Sequence, residues 1–412
     1  MRYPHPSCIA IWPLFALTAV LSWSTVSCHA SPAVTMTEPA TASDVSGNNT
    51  FALNLHRRVA TAEQGGSVIS PWSLRIALAM VYAGAGGETA AQIHEALALE
   101  GKAALVHTAF NEDLQRLTGI DEIALGNRLW VQSGFDLLQP FRQTLEGQYG
   151  APPSPVDFSV PEAARDTINS WIGDATGGRV GELIPAGVLD SRTRLVLTNA
   201  IHFEGDWELP FAVDSTSSQP FFVSAGHSTE VELMQHQGTH GYVEDDDVQF
   251  VELAYAGTDL AMQVILPKEG RNLGSIEQDL SAGRLADLQE RLTAVPVSVI
   301  LPRFKLADRM RADSILKTMG MQLAFDRNLA DLSGIDGRKL LYLAAVLHGA
   351  FIDVNERGTE AGAASAAVIN TRALRLPAQF RADRPFLFII AERSSGMILF
   401  IGRLTDPSRL GS

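Results

Sequence analysis

Val354-Asn-Glu-Arg-Gly-Thr-Glu-Ala-Gly-Ala-Ala-Ser-Ala-Ala-Val-Ile369 is the stretch on which the reading of this chain turns. Taken as a strand, it sends alternate residues to opposite faces. Thr359, Ala361, Ala363, Ser365, Ala367 and Ile369 then share one face, with Glu360, Gly362, Ala364, Ala366 and Val368 on the other. The first face is small and nearly uncharged, as burial beneath other strands requires. No proline occurs from Gly358 to Thr371, so every residue there can donate to a strand ladder. A flexible Ala/Gly/Ser linker or a short alanine-rich helix also fits the composition, but neither needs the charge confined to one face.

Around this stretch the chain is ordinary globular material. It has 412 residues, of which 46% are hydrophobic and 19% charged, enough apolar side chain for a large core. Its formal net charge is −14, with 46 acidic and 32 basic residues and no Lys/Arg cluster. That balance argues against nucleic acid as a partner and favours a soluble monomer. The two cysteines, Cys8 and Cys28, both precede residue 30, so the body beyond them carries no disulfide or thiolate chemistry.

The first thirty residues read as an export signal: Arg2, then the apolar run Ile9–Trp23, too short to span a membrane comfortably. Thr25-Val26-Ser27-Cys28 resembles a bacterial lipobox with Thr in place of the usual aliphatic residue, which makes Cys28 the candidate lipid attachment point and a bacterial source the expectation. Cys28-His29-Ala30 offers a competing site for plain release. Residues 31–47 are rich in Ser, Thr, Pro and Ala and suit a solvated tether, leaving residues 48–410 as one folded domain. A secreted or cell-envelope location follows, with contact to membrane only through that anchor.

Within the body, helical periodicity dominates early and strand patterns late, an α+β order. Ser70 caps a helix with Pro71 at its first position, and Glu122–Gln132 alternates as a strand. Residues 193–205, 250–267, 295–306 and 341–354 are strand-like, and 385–404 forms a hairpin over Ser394-Ser395-Gly396. Catalytic motifs find no support. Ser314-x-x-Lys317 lacks the partner motifs that would make it a nucleophile site and reads as an exposed helix face. His236 and His240 are four apart, but the Gln-Gly-Thr between them disfavours the helix that would bring them onto one metal, so a polar loop is expected. Glu244 to Asp247 reads as a solvated turn. No metal and no cofactor are expected.

The decisive stretch resembles the hinge of inhibitory serpins, and Phe380–Ile390 resembles their C-terminal signature. Ser70–Ile93, Leu197–Phe211 and Ala330–Asp336 are similar to further serpin segments in serpin order. The resemblance implies three β-sheets, eight or nine helices and an exposed reactive-centre loop. A target protease attacks such a loop as a substrate and is caught as an acyl-enzyme, while the cut loop enters the main sheet as a new strand. It implies a hinge at Glu356, Gly358, Thr359, Glu360, Ala361, Gly362, Ala363, Ala364 and Ser365. Sixteen residues beyond Glu356 the scissile bond falls at Arg372–Ala373. Counting back from Pro385 lands near Leu374, and Arg375 is the runner-up. Arginine in that place implies a trypsin-like serine protease as partner. Ser70, Ser73, Asn199 and His348 match a polar cluster beneath the main sheet, and Trp207 matches a tryptophan where insertion begins. The segment His107–Leu117 is too poor in basic residues for heparin. One rival remains, a non-inhibitory serpin acting as a binding or carrier module; a second, an exported hydrolase, fails for lack of a site.

Overall fold

Asp44 starts the ordered body: its carboxylate accepts the Gly47 N–H at 2.9 Å and pairs with the buried guanidinium of Arg75. The computed structural model describes residues 44–61, 65–120, 122–359 and 376–410. All of them lie within one compact unit, Thr41–Ser412. The first helix, beginning at Val45, therefore takes in the last three residues of the stretch read as tether.

The described helices are α1 (Val45–Ala60), α2 (Pro71–Tyr82), α3 (Gly87–Ala96), α4 (Ala103–Leu117), α5 (Gln139–Tyr149), α6 (Pro161–Ala175), α7 (Leu273–Asp279), α8 (Ala282–Glu290), α9 (Asp313–Thr318) and α10 (Ser333–Asp336). The strands are β1 (Gly66–Ile69), β2 (Ile123–Gln132), β3 (Ser154–Val156), β4 (Leu195–Phe203), β5 (Gly205–Asp206), β6 (Ser217–Ser224), β7 (His227–Glu244), β8 (Val248–Ala254), β9 (Leu260–Pro267), β10 (Thr293–Pro302), β11 (Phe304–Arg311), β12 (Ala345–Val354), β13 (Gly358–Thr359), β14 (Ala378–Arg381), β15 (Phe386–Glu392) and β16 (Ile398–Leu404). Ten helical segments among the described residues exceed the eight or nine expected, the shortest being the four-residue turn α10.

The strands form two hydrogen-bonded networks. One runs β1-β16-β15-β9-β8-β7-β10-β14, with β6 also on β7. Two of the three expected sheets are continuous here because β7 is 18 residues long: its first half pairs with β6 and its last residues with β8. The other network is the main sheet, β3-β2-β4-β12, with β11 beyond β12. Strands β4, β9 and β15 are buried along their whole length, and their near-continuous apolar sequences reflect cover on both faces. Helix α2, capped by Ser70, buries every residue from Pro71 to Val81. It packs on β2, β4 and β16, so the polar N-terminus of an apolar helix lies between the two networks.

Two expectations change in the structure. His236 and His240 lie in β7, not in a polar loop, because the strand runs on through Gly238. The helix that carries Ser314 and Lys317 begins at Asp313, after Met310 and Arg311 complete β11 against β12. Residues 250–267 are two strands, β8 and β9, joined at Gly257 in the left-handed region. Ser314 and Lys317 do lie exposed on α9, and in the acidic turn 244–247 Glu244, Asp245 and Asp247 pair with Lys268, Arg284 and Arg271.

Candidate functional site: the hinge and the polar cluster beneath the main sheet

Where β4 and β12 run side by side, a compact polar group joins them to α2. The two strands are parallel from Val196 and Ala345 to His202 and Phe351, with His348 directly beside Asn199. Ser70, Ser73, Asn199 and His348 are all fully buried, so each polar atom needs a partner. The Ser70 N–H donates to His348 Nε2 at 3.1 Å, and the Ser70 hydroxyl donates to the Leu399 carbonyl at 2.7 Å. The Asn199 side-chain carbonyl accepts from the Ser73 hydroxyl at 3.0 Å and from His348 Nδ1. This fixes His348 as the neutral tautomer with its proton on Nδ1. Burial pushes its pKa down to about 3, and a second proton on Nε2 would confront the Ser70 N–H.

A fifth member was not found in the sequence. Asn127 of β2 lies opposite Asn199 in register and accepts from its amide. The only available signal was an asparagine at a sheet-facing position of an alternating strand. Trp207, matched by resemblance to a tryptophan where insertion begins, stands apart from this cluster. The tryptophan serves the hinge instead.

Beyond Phe351 the two strands part. β12 continues to Val354, the chain turns at Asn355, whose N–H donates to the Gly358 carbonyl at 2.9 Å, and Gly358–Thr359 come back as β13. This short strand lies antiparallel between β12, through Val354 and Thr359, and β5, through Gly358 and Asp206. Backbone contact is so close that a Cβ on Gly358 would stand 2.0 Å from the Gly205 carbonyl oxygen. Thr359 is wholly buried, and its hydroxyl meets the Tyr255 hydroxyl at 2.7 Å. Burial pushes the Tyr255 phenol up, so it remains a neutral partner. Tyr255 in turn stacks on Trp207 at 4.7 Å between centroids and meets Phe203 edge-on.

Trp207 clamps the turn. Its indole N–H donates to the Asn355 carbonyl at 2.9 Å, and its backbone N–H to the Arg357 carbonyl at 2.8 Å. Glu356 is also buried. Its carboxylate accepts from the Thr216 hydroxyl at 2.7 Å and faces Arg303 at 3.4 Å, while its carbonyl accepts the Phe211 N–H at 2.8 Å. Tyr255, Phe211, Thr216 and Arg303 were not singled out in the sequence, since each reaches the hinge from a distant segment.

Glu360, Ala361, Gly362, Ala363, Ala364, Ser365, Arg372, Ala373 and Arg375 lie outside the described residues, as does Cys28. Among the described residues no group of three or more His, Cys, Asp or Glu is arranged to hold a metal ion, and no helix is long and apolar enough to cross a membrane.

The main sheet's neighbouring strands β4 and β12 separate at one end, and β13 pairs in the gap between β12 and β5. The chain belongs to the serpin family: the family profile, described as serpin (serine protease inhibitor), matches residues 46–407. The leukocyte elastase inhibitor of Bos taurus is 38% identical over 373 residues, covering 87% of this chain and 98% of that protein. Among solved structures, a serpin of the insect Tenebrio molitor, described as highly specific, superposes with a TM-score of 0.78 at 31% identity, covering 87% of this chain and 96% of its own. Thyroxine-binding globulin in complex with thyroxine superposes with a TM-score of 0.80 at 28% identity over 88% of this chain and 99% of its own. The protein is thus a protease inhibitor by family, not a catalyst. The cattle and insect relatives lend no support to the bacterial source expected from the lipobox-like stretch.

Proposed function

We propose that this serpin is inhibitory and traps a trypsin-like serine protease through cleavage of Arg372–Ala373 and insertion of the hinge side of its loop between β4 and β12. The observation that carries the reading is β13. Gly358 and Thr359 already stand in ladder register at the point where the two strands part, so strand addition has only to continue from there. The residues that follow in the sequence, Glu360 to Ser365, keep one face small, as burial under the opened sheet demands.

The bovine relative's name supports inhibition but gives elastase as its target, so trypsin-like specificity rests on Arg372 alone. An arginine there would fill the acidic pocket that such proteases present. Arg375 is the second candidate. A carrier function is the second reading, favoured by the likeness to thyroxine-binding globulin. We further infer export through residues 1–30, with Cys28 as lipid attachment point and action as a monomer outside the cytoplasm.

Incubation with trypsin separates these readings. A covalent adduct that survives boiling in detergent supports trapping, whereas simple loop cleavage or an untouched chain points to the carrier.

A further inference from the structure

One face of β7 holds a close contact between two histidines beside the hinge. Residues 236, 238 and 240 share that face, and on a regular strand side chains four apart stand about 13 Å from each other. Here the imidazoles of His236 and His240 lie 4.8 Å apart, with Nε2 facing Nε2 at 2.8 Å. Gly238 permits it, since a Cβ at that position would stand 2.9 Å from His240 Nε2 and 2.9 Å from the Leu209 side chain. The His236 ring then stacks on Phe211 at 4.4 Å and 25°. The Phe211 N–H holds the carbonyl of Glu356. A continuous line of contact therefore runs from His240 through His236 and Phe211 to the hinge.

Two imidazole nitrogens 2.8 Å apart are joined by one proton, donated by one ring and accepted by the other. A tetrahedral zinc bound by both at 2.0–2.1 Å would hold them about 3.3 Å apart, so the spacing suits the proton. Two protonated rings would point N–H at N–H and place two positive charges in contact. Little nearby relieves that repulsion. β10 opposes the pair with Val295, Val297 and Val299. From β8, the Glu252 carbonyl favours a protonated His240, but its carboxylate is engaged by Arg393 and Gln263. From the segment preceding β6, the Pro210 carbonyl favours a protonated His236 and Glu208 lies exposed. The hinge presents Glu356, already bound to Thr216 and Arg303. Further along β7, Tyr242 and Glu244 bond each other.

We propose that the His236–His240 contact is an acid-sensitive catch on the hinge: with one shared proton the rings hold Phe211 and Glu356 in place, and a second proton drives them apart and releases Glu356–Thr359 from the top of the main sheet. The catch takes from the proposed function only the reading of residues 356–359 as the hinge. Its test reads docking directly, so failure of protease trapping and failure of the catch are separate results.

Hydrogen–deuterium exchange of the Phe211 and Trp207 amides, which donate to Glu356 and Arg357, measures that docking. Protection is compared at pH 7.5 and 5.0 in EDTA, after correction for the intrinsic pH dependence of exchange. Burial and the neighbouring ring push His240 down to about 4. Against an ordinary imidazole at 6.5, the released state gains about thirtyfold at pH 5. Protection of both amides is expected to fall by that factor in the parent and by less than about twofold in His240→Phe, which keeps an aromatic ring and loses the charge. His240→Gln serves the same purpose should the phenylalanine variant not fold. Unchanged protection in the parent between the two pH values would overturn the catch, and so would an equal loss in the variants.

Discussion

Thr359→Arg probes the hinge where its geometry is tightest. Thr359 has no solvent exposure, lies between β12 and β5, and gives its hydroxyl to Tyr255. An arginine there would bring a guanidinium into a space walled by Tyr255, Trp207 and the backbone of Gly205, with no carboxylate bonded to Thr359 or Tyr255 among the described residues. Burying an unpaired charge costs several kcal/mol even after relaxation, and losing the Thr359–Tyr255 hydrogen bond adds about 1 kcal/mol. The uncleaved variant avoids the penalty by undocking residue 359 from β12 and β5, but insertion cannot. Each 1.4 kcal/mol on the insertion barrier shifts the partition between trapping and turnover tenfold, so about 3 kcal/mol gives roughly a hundredfold shift towards turnover. Deacylation is unaffected, because Arg372 and Ala373 are unchanged. The assay counts inhibitor molecules consumed per trypsin inactivated and follows the cleavage rate alongside. Cleavage at an undiminished rate with trypsin left active is expected. A stoichiometry that stays near one would refute insertion through Thr359.

Further outcomes follow from the same geometry. Cutting the loop between Gly358 and Arg372 should raise the melting temperature sharply, because a full central strand adds ladder hydrogen bonds and buried area; an unchanged melt would show that the loop does not insert. His348 is held neutral, and its lowered pKa means the unfolded chain binds the extra proton first. Stability from this group is therefore complete above about pH 6.5 and falls as the pH drops towards about 3. At pH 5 the loss is about 2 kcal/mol, and denaturant melts of His348→Asn should lack this component; an equal pH dependence in parent and variant would contradict it. Mass spectrometry of the mature N-terminus should find the export signal removed; a chain beginning at a lipid-bearing Cys28 shows the anchor, one beginning at Ser31 removes it, and one retaining Met1 removes export.

The parts of this site that were legible in the sequence are those written in local pattern. The Ser70 cap with Pro71 and the apolar runs of β15 and β16 each follow from neighbours in the chain. Ser70, Ser73, Asn199 and His348 were visible through resemblance to a family, and periodicity alone would not have joined four residues spread over almost 280 positions. Asn127 and Tyr255 were missed because their roles arise from cross-strand register and ring packing, which no local window contains. β7 went unread for a different reason. Its polar alternation and Gly238 imitate a loop, and what makes it a strand is pairing with β6, β8 and β10. The same glycine that hid the strand lets His236 and His240 meet.

The most direct test of protease trapping is to isolate the detergent-stable adduct with trypsin and identify by mass spectrometry the residue esterified to the protease serine. Trapping by insertion predicts Arg372 at that bond, and no adduct from Arg372→Glu, because an acidic pocket rejects the carboxylate. An adduct formed as readily by Arg372→Glu, or one joined at Arg375, would contradict the assigned bond, and the absence of any adduct with the parent would contradict the inhibitory function itself.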